Sequence, residues 1–103
     1  MRKWVKAADR GDFTESDRKL VDLGGNLQIA LFKVNGGYHA ISAWCSHQRA
    51  TMVHGSLDGH ELTCPFHGAR FDVRSGRALS LPAVRPVKSF PVKVDGDEIL
   101  LKV

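Results

Sequence analysis

Residues 61–73 read Glu61-Leu62-Thr63-Cys64-Pro65-Phe66-His67-Gly68-Ala69-Arg70-Phe71-Asp72-Val73: a strand-like run, a tight turn and a second strand-like run. The turn carries the chemistry. It brings Cys64 and His67 to face a common point, Pro65 restricts it, and Gly68 lets the backbone come close to whatever is bound. Upstream lies a second such neighbourhood, Cys45-Ser46-His47, and together the two spell C-x-H-x16-C-x2-H. In extended backbone, residues two apart point the same way, so Cys45 and His47 converge as well. Each pair follows a strand-like run, which puts both on loops at strand ends.

Working outward, short apolar runs alternate with Gly/Asn/Asp punctuation. Gly24-Gly25-Asn26, Asn35-Gly36-Gly37, Asp58-Gly59, Ser75-Gly76 and Asp95-Gly96-Asp97 read as turns, because glycine and asparagine tolerate positive φ. Strands are predicted over 19–23, 27–34, 38–44, 61–64, 69–73, 89–94 and 98–103. Phe90, Val92 and Val94 alternate with Pro91 and Lys93, and Ile99, Leu101 and Val103 repeat the period of two. No segment keeps a helical period over three turns, although 8–17 can hold one short polar turn. Many short strands at close spacing predict an all-β fold, an antiparallel β-sandwich or partly open barrel, and the two Cys/His loops mark a small cluster-binding subdomain of two loops.

The chain has 103 residues, which is one ordinary domain, 1–103, with the cluster-binding part at about 44–84. Hydrophobic residues make up 43% and charged residues 25%, the composition of a chain that folds around a core. The formal charge of +4 invites a nucleic-acid partner, but the basic residues are scattered and no aromatic-basic stripe accompanies them. No apolar stretch of about eighteen residues exists to span a membrane. Met1-Arg2-Lys3-Trp4-Val5-Lys6-Ala7 lacks the apolar core of a signal peptide, so a cytoplasmic location is expected. In a reducing compartment, two thiols each closely followed by histidine read as metal ligands and not as a disulfide.

Thiolate and imidazole suit iron and also zinc. Structural zinc sites commonly pair cysteine with cysteine and histidine with histidine along the chain; here each pair is mixed. That is the arrangement expected when each loop gives one ligand to each iron of a [2Fe–2S] core. His39, His54 and His60 have no ligand spacing and read as solvated or core-edge residues. Between 45 and 88, Arg49, Arg70, Arg74, Arg77, Arg85 and Lys88 outweigh Asp58, Glu61 and Asp72, an excess suited to steering an acidic partner.

On these residues the chain resembles the Rieske-type [2Fe–2S] ferredoxins that serve bacterial aromatic-ring-hydroxylating oxygenases. The likeness runs from Trp4-Val5 through the final strand and is strongest over Cys64-Pro65-Phe66-His67-Gly68-Ala69-Arg70-Phe71-Asp72, followed by Ser75-Gly76. The resemblance implies that Cys45 and Cys64 hold one iron and His47 and His67 the other. It also implies that a proline-bearing loop, Leu81-Pro82-Ala83, covers the cluster. Two ferric ions, two sulfides and two thiolates sum to neutrality, so this type of site accepts an electron more readily than an all-thiolate one. Respiratory members of the family add a disulfide between the loops and hydroxyl donors to the sulfurs. The matching positions here are Ala50 and Phe66, and Ala69 and Phe71, which implies a potential low in the Rieske range.

The resemblance implies a one-electron carrier that takes electrons from an NAD(P)H-dependent flavoprotein reductase and passes them to a terminal oxygenase. It implies no catalysis by the chain itself, and no phosphate-cradling loop, dinucleotide fingerprint or HExxH is present. Three other readings are open: the small Rieske-like subunit of nitrite reductase, many of whose members lack the ligands; a zinc-stabilised interaction module; and a redox-sensing regulatory domain.

Overall fold

The computed structural model describes residues 3–24, 27–44, 53–65, 68–79 and 85–103. Its central element is β3, Gln28–Val34. Ile29, Ala30, Leu31 and Phe32 are all fully buried there, with no inside–outside alternation. Such a run needs cover on both faces. Ala30, Phe32 and Val34 join one apolar cluster, while Ile29 and Leu31 join another.

The strands around it explain the two clusters. β2 (Arg18–Asp22), β3, β4 (Gly37–Ser42) and β8 (Ser89–Phe90) form a four-stranded antiparallel sheet in the order β2-β3-β4-β8. On one face lies the sheet β1-β10-β9, made of Trp4–Asp9, Glu98–Lys102 and Val92–Asp95, which contributes Ala8, Ile99 and Leu101 to its cluster. On the other face lies β5-β6-β7, made of Ser56–Asp58, Glu61–Thr63 and Arg70–Asp72, which contributes Leu62 and Phe71. All pairings in the three sheets are antiparallel, and the sheets do not close into a barrel.

The turn chemistry is local. Asn35 and Gly36 have φ of 50° and 82°, the two left-handed residues of a tight hairpin turn between β3 and β4. The polar turn expected within 8–17 is a 3-10 turn at Arg10–Phe13, and Phe13 packs its ring edge-on against Tyr38 at 5.2 Å.

Two strands escape the sequence pattern. In β1 the register slips between Lys6 and Ala8, so Ala7 is an extra residue that breaks the period of two. β5 is three residues long with one apolar side chain, too short to show any period. The run 89–94 is interrupted at Pro91, which has no N–H to donate. β8 pairs with β4 before it and β9 with β10 after it, and Val94 ends 44% exposed.

Candidate metal centre

Of the four residues expected to be ligands, the structure describes Cys64. Cys45, His47 and His67 lie outside the described residues, as do Ala50, Phe66 and the loop Leu81-Pro82-Ala83. Cys64 follows β6 directly. Across the hairpin Thr63 pairs with Arg70 and Leu62 with Phe71, so the strands deliver Cys64 to the mouth of the turn. The Cys64 N–H donates to the Ala69 carbonyl at 2.6 Å, and the Gly68 N–H donates to the Cys64 carbonyl at 3.2 Å. Two backbone bonds thus close the turn that Cys64 opens.

Gly68 adopts φ +74°, the left-handed region that glycine occupies without strain. Among the described residues nothing stands within 4 Å of where its Cβ would be. The left-handed backbone angle is by itself a reason for glycine at 68.

The Cys64 side chain is 1% exposed and forms no disulfide. Its apolar cluster includes Ala43, at the end of β4 before the first ligand loop, and Val53, just after that loop. Ala69, on the far side of the second loop, belongs to it too. The stems of both loops therefore meet in one packed cluster. A thiol held there can bind a soft metal as thiolate, in surroundings that exclude water from the metal–sulfur bond. The residues present fit a thiolate-ligated metal group between two loops.

Ion pairs engage two of the six cations of the 45–88 segment and leave its net excess unchanged. Arg70 pairs with Glu61 at 3.2 Å and Arg74 with Asp72 at 2.9 Å. The Arg74 side chain also holds the Asp72 carboxyl below the usual carboxylate range, first through its hydrogen bonds.

The histidines without ligand spacing are not all alike. His54 is exposed, whereas the half-buried rings of His39, on β4, and His60, in the β5–β6 turn, meet edge to face at 5.1 Å. Burial first, then the His60 ring and the Arg74 guanidinium, hold the His39 imidazole below its ordinary value; Asp72 pulls the other way. As pH falls, the unfolded chain takes up this proton before the folded one. The stability that neutral His39 supplies is complete above about pH 6.5 and declines as pH falls below it toward the folded-state value. We expect the loss of thermal midpoint between about pH 7.5 and 5.5 to be smaller in His39→Leu than in the parent chain. Equal losses in the two proteins would remove His39 from the account.

Comparison with known proteins agrees with this geometry. A family model described as the Rieske [2Fe-2S] domain matches residues 3–91. The chain is 38% identical over 102 residues to the ferredoxin component of the naphthalene 1,2-dioxygenase/salicylate 5-hydroxylase systems of a Ralstonia species, covering 99% of this chain and 97% of that one. The ferredoxin of carbazole 1,9a-dioxygenase from Nocardioides aromaticivorans superposes with a TM-score of 0.88 at 34% identity, covering 96% of both chains. A similar match, TM-score 0.88 at 31% identity over 95% of this chain and 91% of that one, is to a chain in the complex of reduced oxygenase and oxidized ferredoxin in carbazole 1,9a-dioxygenase.

Proposed function

Because this chain belongs to the Rieske [2Fe-2S] domain family, we propose that it is the ferredoxin component of an aromatic-ring oxygenase system, carrying single electrons to a terminal oxygenase. The observation that carries this reading is the likeness over 99% of its length to a relative named as such a component. The chain is an electron-transfer protein and not itself an oxygenase: those relatives are ferredoxin components, matched from end to end.

The residues that would hold the Rieske-type cluster are Cys45 and Cys64 on one iron and His47 and His67 on the other. When bound, the cluster supplies a one-electron couple. The chain's own part is to bring the two loops together, bury the Cys64 thiol and keep bulk water from the sulfur side. We read 1–103 as one domain with its cluster-binding part at about 44–84. In support, β10 lies beyond residue 91 yet pairs with β1 and buries Ile99 and Leu101. The electron donor in this reading is an NAD(P)H-dependent flavoprotein reductase, met through brief contacts and small interfaces. Among the described residues no helix is long and apolar enough to cross a membrane, and a cytoplasmic site of action goes with the proposed partners.

Ala69 and Phe71 flank the second ligand loop, fully buried and without hydroxyls. These positions offer no side-chain O–H to stabilise a reduced cluster, so the midpoint is expected near the low end of the Rieske range, roughly −150 mV. The test is a redox titration followed by electron paramagnetic resonance, with reoxidation by a terminal oxygenase measured in stopped flow. A red-brown protein that is reduced by dithionite and reoxidised by the oxygenase is the expected result. A colourless preparation, or a midpoint well above zero, overturns respectively the function and the account of its potential.

A further inference from the structure

Arg18 opens β2, the edge strand of the central sheet, in register with Phe32 on β3. Cross-strand partners share a face, and the guanidinium carbon lies 5.5 Å from the centre of the fully buried Phe32 ring. Asp17 fixes the fork from one side, accepting from Nε at 2.8 Å and from Nη2 at 3.4 Å. The remaining nitrogen, Nη1, donates to the Val53 carbonyl at 2.9 Å and to the Gly55 carbonyl. These carbonyls lie on the return limb of the first ligand loop, far from Arg18 in sequence. The Arg18 side chain is 22% exposed, so its bonds are partly shielded from water.

The contact continues to the second loop. A Cβ at Gly55 would stand 2.1 Å from the Thr63 carbonyl oxygen and 3.1 Å from a Leu62 methyl group. Gly55 therefore lies directly on β6, the strand that leads into Cys64, and the next residue, Ser56, pairs with Thr63. One guanidinium thus ties the central sheet to the return limb of one loop, and that limb rests on the stem of the other.

We propose that Arg18 is a positioning residue that holds the first ligand loop in place against the second, and so governs how long the chain retains its cluster. This rests on the Rieske reading above and concerns a residue distant in sequence from every ligand. Charge-assisted bonds to shielded carbonyls are among the stronger hydrogen bonds, and removing the donor takes one such bond from each carbonyl. Lysine keeps the charge without the planar fork, so it restores the function in part.

The test compares holoprotein with Arg18→Met, Arg18→Lys, Lys19→Met and Val21→Ala. Lys19 is the adjacent cation and pairs with Asp12 at 2.8 Å, away from the loop. Val21 lies in the other apolar cluster, so its truncation lowers stability without touching the ligand loops. Two quantities are measured: the rate at which visible absorbance bleaches in the presence of a ferrous chelator, and hydrogen exchange at amides 53–57. Arg18→Met is expected to bleach about ten-fold faster than the parent and to exchange faster at 53–57. Arg18→Lys should fall between, with Lys19→Met and Val21→Ala close to the parent. Should Arg18→Met fail to fold, Arg18→Lys against Val21→Ala carries the comparison. Bleaching by the Arg18 variants no faster than by Val21→Ala overturns the positioning role. A parent chain that takes up no iron overturns the Rieske reading itself.

Discussion

The Cys64→Ala variant is expected to purify colourless, with iron reduced to trace level and no resonance after dithionite. Magnitudes separate this result from a packing effect. Removing one sulfur from a buried site costs about 1–2 kcal/mol in lost contacts and cavity, and on that account alone the chain would keep its iron. As a ligand, the same sulfur would be one of two thiolates holding the proposed iron, and alanine has nothing to offer in its place. Metal binding adds directly to folding free energy, so the thermal midpoint should fall by more than the cavity explains. Total iron, visible absorption and the reduced-state resonance check the prediction together. An alanine variant with the parent's iron content and resonance would show the thiol to be a core side chain.

The second large effect is expected at Gly76→Ala. Gly76 follows β7 with φ +79°, its N–H donating to the Asp72 carbonyl at 2.7 Å and its carbonyl accepting from the Val87 N–H at 2.8 Å. A Cβ there would stand 2.0 Å from the Val87 oxygen, which is backbone and has no rotamer to escape to. The left-handed angle costs roughly 1–2 kcal/mol for alanine, and relieving the clash costs roughly another 1–3 kcal/mol. For a domain this small, the sum lowers the thermal midpoint by about 10 °C or more. Gly59→Ala supplies the comparison: its φ is +60°, but among the described residues nothing lies within 4 Å of the added carbon. It should lose only the backbone part. Equal midpoints for the two variants would show that the Gly76–Val87 contact yields cheaply. That contact joins the two limbs of 77–87, the segment in which the family resemblance puts the proline loop, so cluster retention should suffer together with stability.

Much of the framework was readable because it is local. A tight hairpin at Asn35-Gly36 needs two residues tolerant of positive φ, and these two stand next to each other in the chain. The break at 89–94 was also written in the sequence, in Pro91, although alternating Phe90, Val92 and Val94 hid it. β1 was missed for a definite reason: the bulge at Ala7 shifts the phase on which recognition of a strand depends.

The two cysteine–histidine pairs follow from residue type and short-range spacing, so the chain alone determined the chemistry it can hold and the hairpin that presents Cys64. Tertiary packing decided that β3 is covered on both faces and that Arg18 reaches Val53 and Gly55. These features join residues far apart in sequence. No periodicity marks them, because each depends on where two separately formed hairpins come to rest against each other.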